Sequence, residues 1–247
     1  MGLVMAVGLI LVLAGCGGRG RGEPSTVVVS AAASLTDVFK RIESVFESAN
    51  PGVDVVLNFG GSSSLREQIL EGAPIDIFAS ADATNMERVA AAGEVEGAPV
   101  IFARNTMQIA VPAGNPGDVT GLADLADETL SIGLCAAEVP CGDLARRVLA
   151  RAGVSPAVDT NEPDVRALLT KIETGELDAG ITYVTDVISA GSSVAGIDIP
   201  EDVNVVAEYP IAVLANAPHP GAARALVDFI LSDAGRAIIT DHGFSAP

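Results

Sequence analysis

Five short stretches of this chain combine hydroxyl groups and main-chain amides with very few cations. In each, an apolar segment typical of a strand, or a loop, leads into helical periodicity. The first turn of a helix leaves N–H groups without intrahelical partners and carries the positive end of the helix dipole. Such junctions can hold a small, fully ionised oxyanion without a Lys or Arg. The stretches are A-A-A-S-L at 31–35, G-G-S-S-S-L at 60–65, V-P-C-G at 139–142, E-P-D-V-R at 162–166 and I-T-Y-V at 181–184.

The candidate donors in these stretches also have simpler structural interpretations. Ser34, with Asp37 three residues on, could be the N-cap of a helix. Ser62 could simply open a helix after Gly60 and Gly61, two residues that permit a tight turn. A valine at a helix start is ordinarily a core residue, and a tyrosine is ordinarily half-buried with a backbone partner. The candidate donors are the hydroxyls of Ser34, Ser62 and Tyr183 and the main-chain N–H groups of Cys141 and Val165.

Catalytic interpretations have little support in the sequence. The two histidines, His219 and His242, both lie near the C-terminus, and no His/Cys/Asp/Glu cluster has metal-ligand spacing. The G-x-S-x-G and G-x-x-x-x-G-K-[ST] motifs are absent. An exported hydrolase that uses the amides as an oxyanion hole is the alternative, but it needs a nucleophile–base pair, and no histidine is near these serines in sequence. The pattern therefore favours binding over catalysis.

The N-terminal segment predicts export and a lipid anchor. Residues 1–15 are uncharged and mostly apolar, fewer than the ~20 that span a bilayer. This is typical of a signal peptide. The L-A-G-C sequence at 13–16 matches the bacterial lipoprotein cleavage pattern, which predicts a lipidated Cys16 and a flexible tether over 16–26. An ordinary signal peptide or a buried helix is the alternative. Among the three cysteines, this leaves Cys135 and Cys141 to form a disulfide in oxidising surroundings.

The overall charge restricts the class of partner. The formal net charge is −18, with 32 acidic and 14 basic residues. This argues against nucleic acid and against electrostatic adhesion to anionic lipid. It does not favour an anionic ligand either, so an anion site must depend on local geometry. A lipid-anchored adhesion module is a further alternative, which a large exposed apolar patch would favour.

Strands that alternate with helices predict an α/β architecture with mainly parallel sheets. Extended apolar segments near 106–112 and 208–214 are flanked by Pro or Gly, and we expect them to cross between two lobes. The first lobe is then 27–105 plus 209–247, and the second is 106–208. Separate strands are expected at 203–207 and 209–214, and helices near 219–231 and 233–241.

Over about 27–247 the chain resembles the extracytoplasmic molybdate-binding proteins of bacterial ABC transporters. The most specific motif behind this resemblance is G-A-P-I-D-I-F-A-S-A-D at 72–82; the serine turns are less specific. The other motifs are A-A-A-S-L-T at 31–36, S-S-S-L at 62–65, V-P-C-G at 139–142, D-V-R-A-L at 164–168, G-I-T-Y at 180–183 and E-Y-P-I-A-V at 208–213.

The resemblance implies a type II periplasmic-binding-protein fold, whose two lobes close over the ligand. It places two hydroxyl donors in the first lobe, Ser34 and Ser62, with Ser63 an open alternative to Ser62. It places three donors in the second lobe, namely the Tyr183 phenol and the main-chain amides of Cys141 and Val165.

It also implies an extracytoplasmic binding protein, not an enzyme, that delivers molybdate, and tungstate with it, to an ABC permease. No cofactor is implied, and molybdenum is bound as its oxyanion rather than as a cation. We expect a monomer. A receptor for sulfate, phosphate or another oxyanion is the alternative within the class. Because no carboxylate is among the proposed donors, we expect the site to reject protonated phosphate.

Overall fold

The computed structural model describes residues 25–247. The predicted signal peptide, Cys16 and nearly all of the tether lie outside the described residues. The strands are β1 (Ser25–Ala32), β2 (Val53–Gly60), β3 (Ile77–Ala79), β4 (Val100–Pro112), β5 (Ile132–Cys135), β6 (Val158–Glu162), β7 (Ala179–Tyr183), β8 (Val194–Asp198) and β9 (Val206–Val213). The α-helices are α1 (Thr36–Ala49), α2 (Ser62–Leu70), α3 (Ala83–Ala91), α4 (Pro140–Ala152), α5 (Val165–Glu173), α6 (Val184–Ala190), α7 (Pro220–Leu231) and α8 (Asp233–Asp241).

The strands of the described chain form a mixed sheet in the order β2-β1-β3-β9-β4-β7-β5-β6, with β8 paired to β4. Pairing is parallel in the β2-β1-β3 and β6-β5-β7 groups. It is antiparallel wherever β4 or β9 takes part. The predicted predominance of parallel pairing therefore holds for the outer strands of each half, while the central strands are antiparallel.

The long strand β4 belongs to both halves of the sheet. Its first part, from Val100 to Thr106, pairs with β9, and Met107 to Ala110 pair with β7. The change of partner falls beside the predicted crossing near 106–112. The division into two lobes at 105 and 209 stays a prediction, although β4 changes its partner next to the first of these points.

The strands predicted separately at 203–207 and 209–214 overlap one continuous strand, β9, which begins at Val206 and ends at Val213. Pro210 is accommodated inside it. Pro210 is paired with Ile101, where the register of β4 shifts before Ala103. A bulge leaves a position at which a strand residue need not donate a hydrogen bond, and proline cannot donate one.

Helix α1 shows how the sequence pattern produces the packing. Its apolar residues recur at helical spacing, and Val38, Phe39, Ile42 and Phe46 are all buried. Together with the aliphatic strands they form one core that runs through both halves of the sheet. Within residues 25–247, no helix is both long enough and apolar enough to cross a bilayer.

Candidate functional site

All five predicted donor residues line one small cavity between the two halves of the sheet. The space open to the centre of a water-sized sphere is about 10 Å³, which is room for about one such sphere. The cavity is therefore matched to a compact ion rather than to an extended organic molecule. Its lining residues are Ala32, Ala33, Ser34, Gly60, Gly61, Ser62, Ala81, Val139, Pro140, Cys141, Asp164, Val165 and Tyr183.

Ser34 lies in a 3-10 turn, Ala33–Leu35, between β1 and α1. It does not cap α1, because the residue that precedes this helix is Leu35 and no side chain caps it. The Ser34 hydroxyl is buried and lies 3.1 Å from the hydroxyl of Tyr209. If Tyr209 donates in this pair, the Ser34 proton remains free for a ligand in the cavity.

Ser62 is the first residue of α2 and is buried. Its hydroxyl oxygen accepts a hydrogen bond of 3.0 Å from the main-chain N–H of Ala81. This contact fixes the oxygen and leaves the hydroxyl proton available as a donor. Ser63 lines a different and larger cleft, outside the cavity, together with Arg66 and Arg88.

The two candidate main-chain donors lie in the first turns of α4 and α5. In α4 the position before Cys141 is Pro140, which has no N–H to contribute. The structure joins Cys141 to Cys135 at the end of β5 in a disulfide with a Cα–Cα distance of 5.8 Å. In α5 the Asp164 carboxylate caps the N–H groups of Arg166 and Ala167 but not that of Val165.

Tyr183 ends β7 and is 1% exposed. Its hydroxyl has no hydrogen-bond partner among the described residues. Burial, followed by the neighbouring Tyr209 hydroxyl and Asp186, raises the pKa of Tyr183 well above its ordinary value. The phenol therefore stays protonated at neutral pH and can donate. An unpaired buried hydroxyl costs free energy, so Tyr183 is the donor that gains most from a ligand.

One charged residue lines the cavity, and it is an acid, Asp164. No Lys or Arg is in the lining, so any attraction for an anion comes from hydroxyls, amides and helix N-termini. Sequence reasoning identified Asp164 only as a residue beside a donor, although its position before the apolar periodicity of α5 marks it as an N-cap. The Asp164 carboxylate is a hydrogen-bond acceptor in the lining. The expectation of phosphate rejection, which assumed donors alone, therefore loses part of its basis.

Tyr209 is the second residue that sequence reasoning missed. It is fully buried behind Ser34 and contacts the Tyr183 ring edge-on with centroids 6.0 Å apart. Burial, only partly offset by the Ser34 hydroxyl, raises its pKa well above the ordinary value. Its sequence signal was the E-Y-P-I-A-V stretch at 208–213, which contributes to the family resemblance but was not considered as a source of donors.

Comparison with known proteins places the chain in a family. The model for bacterial extracellular solute-binding proteins matches residues 27–245. The molybdate-binding protein ModA of Mycobacterium tuberculosis is 41% identical over 222 residues, which cover 90% of this chain and 85% of that protein. The chain belongs to the ModA family of bacterial extracellular solute-binding proteins.

Two further similarities extend this result. The putative ABC transporter substrate-binding lipoprotein YvgL of Bacillus subtilis is 26% identical over 98% of this chain and 96% of its own length. The periplasmic molybdate-binding protein of Azotobacter vinelandii superposes with a TM-score of 0.80 at 19% identity, covering 90% of this chain and 99% of that one. The predicted two-lobed periplasmic-binding-protein fold is confirmed.

Membership of this family confirms the prediction of a binding protein rather than an enzyme. The geometry agrees with it. Neither His219 nor His242 lines the cavity, so Ser34 and Ser62 have no imidazole base beside them. Among the described residues, no group of three or more His, Cys, Asp or Glu side chains is placed to hold a metal ion.

Proposed function

We propose that this protein captures molybdate in the cavity between the two halves of the sheet and delivers it to an ABC permease. The observation that carries the proposal is the buried Tyr183 hydroxyl, which has no partner among the described residues and lines a cavity sized for one compact ion. Four more donors line the same cavity, at Ser34, Ser62, Cys141 and Val165. The 41% identity to the molybdate-binding protein of M. tuberculosis supports this ligand above other oxyanions.

Tungstate should bind with molybdate because the two anions have nearly the same size and charge, and hydrogen-bond donors respond only to those properties. Sulfate has the same charge but is smaller, so it should leave some donors out of reach. Phosphate carries a proton at neutral pH. Asp164 lines the cavity, and its carboxylate could accept a hydrogen bond from that proton, so we expect phosphate to bind weakly but to be rejected less strongly than by a site without an acceptor.

Calorimetric titration of the purified protein with molybdate, tungstate, sulfate and phosphate tests the proposal. We expect tight binding of the first two and weak binding of the others. Loss of one hydroxyl in Ser34→Ala or Ser62→Ala should weaken molybdate binding about ten- to a hundredfold, the range for hydrogen bonds to a charged group.

Ser63→Ala is the matched control, because Ser63 adjoins Ser62 but lines the larger cleft. Equal affinity in wild type and Ser62→Ala, with a loss in Ser63→Ala, would assign the second hydroxyl to Ser63. Tighter binding of sulfate than of molybdate would refute the proposed ligand.

The proposal includes a lipid anchor at Cys16 on the outer face of the cell membrane. The family is extracellular, and the relative YvgL is described as a lipoprotein. The L-A-G-C pattern at 13–16 supplies the cleavage site. The substitution Cys16→Ser should remove the protein from the membrane fraction, as measured by cell fractionation. If the variant fractionates with membrane as the wild type does, the lipid anchor is wrong.

A further inference from the structure

A single guanidinium group connects segments on both sides of the proposed molybdate cavity. Arg166 follows Val165 in the first turn of α5. Its side chain forms an ion pair with Asp37 of α1, and its Nε donates to the carbonyl oxygen of Ala33 at 3.4 Å. Both partners belong to the β1–α1 segment that carries Ser34. Arg166 therefore links the Ser34 side of the cavity to the Val165 side.

The same guanidinium also reaches the segment that carries Tyr183. Its Nε lies 3.7 Å from Oδ1 of Asp186, a fully buried carboxylate of α6. The other oxygen of Asp186, Oδ2, accepts the main-chain N–H of Tyr183 at 3.1 Å. Arg166 is thus linked to three of the five candidate donor residues, Ser34, Val165 and Tyr183, through neighbouring residues. It does not itself line the cavity.

These contacts differ in what they can contribute. The side chain of Asp37 is 44% exposed, so its attraction to Arg166 is screened by water and is modest. Asp186 is buried, and Oδ1 has no hydrogen-bond partner among the described residues, so Arg166 is the cation that compensates its charge. The contact of Arg166 with Asp186 organises one side of the cavity. Its contacts with Asp37 and Ala33 cross to the other side.

We propose that Arg166 is a positioning residue that clamps the two sides of the cavity together and slows the release of the bound oxyanion. The inference rests on the proposed function. The clamp acts on the closed arrangement, because Asp37 and Ala33 are within its reach only when the two sides are together. Its effect should therefore fall on the dissociation rate rather than on the association rate.

Asp37→Asn is the decisive variant, because it removes the cross-cavity charge and leaves the pair of Arg166 with buried Asp186 intact. Stopped-flow fluorescence can follow molybdate release, since the chain has two tyrosines and no tryptophan, and both tyrosines lie at the site. We expect release about two- to fivefold faster in Asp37→Asn, the range for a partly exposed ion pair, with an unchanged association rate. Arg166→Gln loses the ion pairs with both Asp37 and Asp186 and should release molybdate more than about tenfold faster. Asp37→Glu retains the negative charge, so its release rate should lie between those of the wild type and Asp37→Asn.

Arg224→Gln is the control, since it removes an ion pair with Glu96, with 2.8 Å between Nε and Oε1, away from the cavity. It should match the wild type. A second measurement does not depend on ligand. Spin labels on cysteines placed at the exposed positions Glu71 and Glu173, in a Cys16→Ser background, report the distance between α2 and α5. We expect a larger fraction of separated molecules in ligand-free Asp37→Asn and Arg166→Gln than in Arg224→Gln.

The two ideas fail in different ways. A wild-type protein that shows no binding of molybdate by calorimetry refutes the proposed function. The spin-label distances still decide whether Arg166 acts as a clamp. Release rates and distances in Asp37→Asn and Arg166→Gln equal to those of Arg224→Gln overturn the clamp, whether or not molybdate binds.

Discussion

At the scale of single residues, the two tyrosines show how a binding site differs from a packed core. Both are buried side by side, yet the Tyr209 hydroxyl has Ser34 as a partner and the Tyr183 hydroxyl has none among residues 25–247. Native proteins pair nearly all buried polar groups. The unpaired hydroxyl therefore represents a cost in the free protein that a ligand can remove.

Replacing Tyr183 with Phe should have opposite effects on folding and on binding. Loss of an unpaired buried hydroxyl should leave the free energy of unfolding unchanged or raise it by about 1–3 kcal/mol. Molybdate affinity should fall about ten- to a hundredfold, because a donor to a charged ligand is lost. Urea unfolding without ligand and calorimetry with ligand measure the two effects.

Tyr209→Phe is the control, since it leaves the Ser34 hydroxyl without its partner and should destabilise the free protein. If Tyr183→Phe destabilises as much as Tyr209→Phe does, then the Tyr183 hydroxyl is already satisfied and is not reserved for a ligand.

The buried carboxylate of Asp186 should make stability depend on pH. Its pKa is raised to about 7, chiefly by burial and to a smaller extent by Asp37 and Asp164, against the lowering effects of Arg166 and the Tyr183 N–H. Because the folded pKa lies above the ordinary value of an aspartate, the folded state holds a proton that the unfolded chain has lost. The resulting penalty is absent below about pH 4, grows as the pH rises and is complete above about pH 7, where it amounts to roughly 4 kcal/mol.

Asp186→Asn retains an acceptor for the Tyr183 N–H and cannot ionise. We expect the difference in unfolding free energy, variant minus wild type, to increase in favour of the variant from pH 4 to pH 7 and to level off above that range. Urea unfolding across this interval measures the difference. A difference that does not change with pH would mean that Asp186 is ionised throughout, with Arg166 compensating its charge completely.

At the scale of elements, the first turns of α2, α4 and α5 meet at the cavity, and this convergence requires close approach. Gly61 precedes α2 and faces the segments before α4 and α5. A Cβ atom on Gly61 would lie 2.7 Å from the carbonyl oxygen of Pro163 and 3.1 Å from a methyl carbon of Val139. Only a residue without a side chain permits this contact.

Gly61→Ala should therefore prevent the two sides of the cavity from coming together. Because the clash exists only when they are together, the ligand-free protein should remain folded, with the two sides further apart. Molybdate affinity should fall by more than about tenfold, the effect of about 1.4 kcal/mol. Gly52→Ala is the control, since a Cβ there contacts nothing within 4 Å. Equal affinity in the two variants would show that the contact at Gly61 is not needed for binding.

The elements that sequence reasoning identified are those whose signal is local. Helix α1 shows helical spacing of apolar residues, and α4 has Pro140 at its start and Gly153 after its end. The shorter elements β6, α6 and β8 were missed. Strand β8, with the sequence V-A-G-I-D, forms because it pairs with β4, and that partner lies more than eighty residues earlier in the chain.

The same distinction holds within the site. The five candidate donors, which line one cavity, were identified because each marks a helix start or a strand end, or matches a family motif. The contact between Ser34 and Tyr209, which are separated by 175 positions, and the two ion pairs of Arg166 are products of tertiary structure. No local pattern specifies which distant hydroxyl or carboxylate a side chain will contact.

At the scale of the whole molecule, the net charge opposes the proposed ligand. The chain carries a formal charge of −18. The larger cleft beside the cavity adds to this, because its lining contains two arginines and four carboxylates. A dianion approaching this surface is repelled at long range, while the dipoles that bind it act only at short range.

Ionic strength should therefore accelerate molybdate association. The Debye length falls from about 30 Å at 0.01 M salt to about 8 Å at 0.15 M, which screens the repulsion but not the short hydrogen bonds. We expect the association rate constant, followed by tyrosine fluorescence in sodium chloride, to rise by a factor of about two or more over this range. Glu138→Gln with Asp143→Asn, two carboxylates of the cleft lining, should raise the rate at low salt and flatten its salt dependence. Glu173→Gln changes an exposed charge at the far end of α5 and serves as the control. An association rate that falls with added salt would mean that Arg66 and Arg88 give the cleft a positive local potential, so that anions are attracted to it despite the charge of the molecule as a whole.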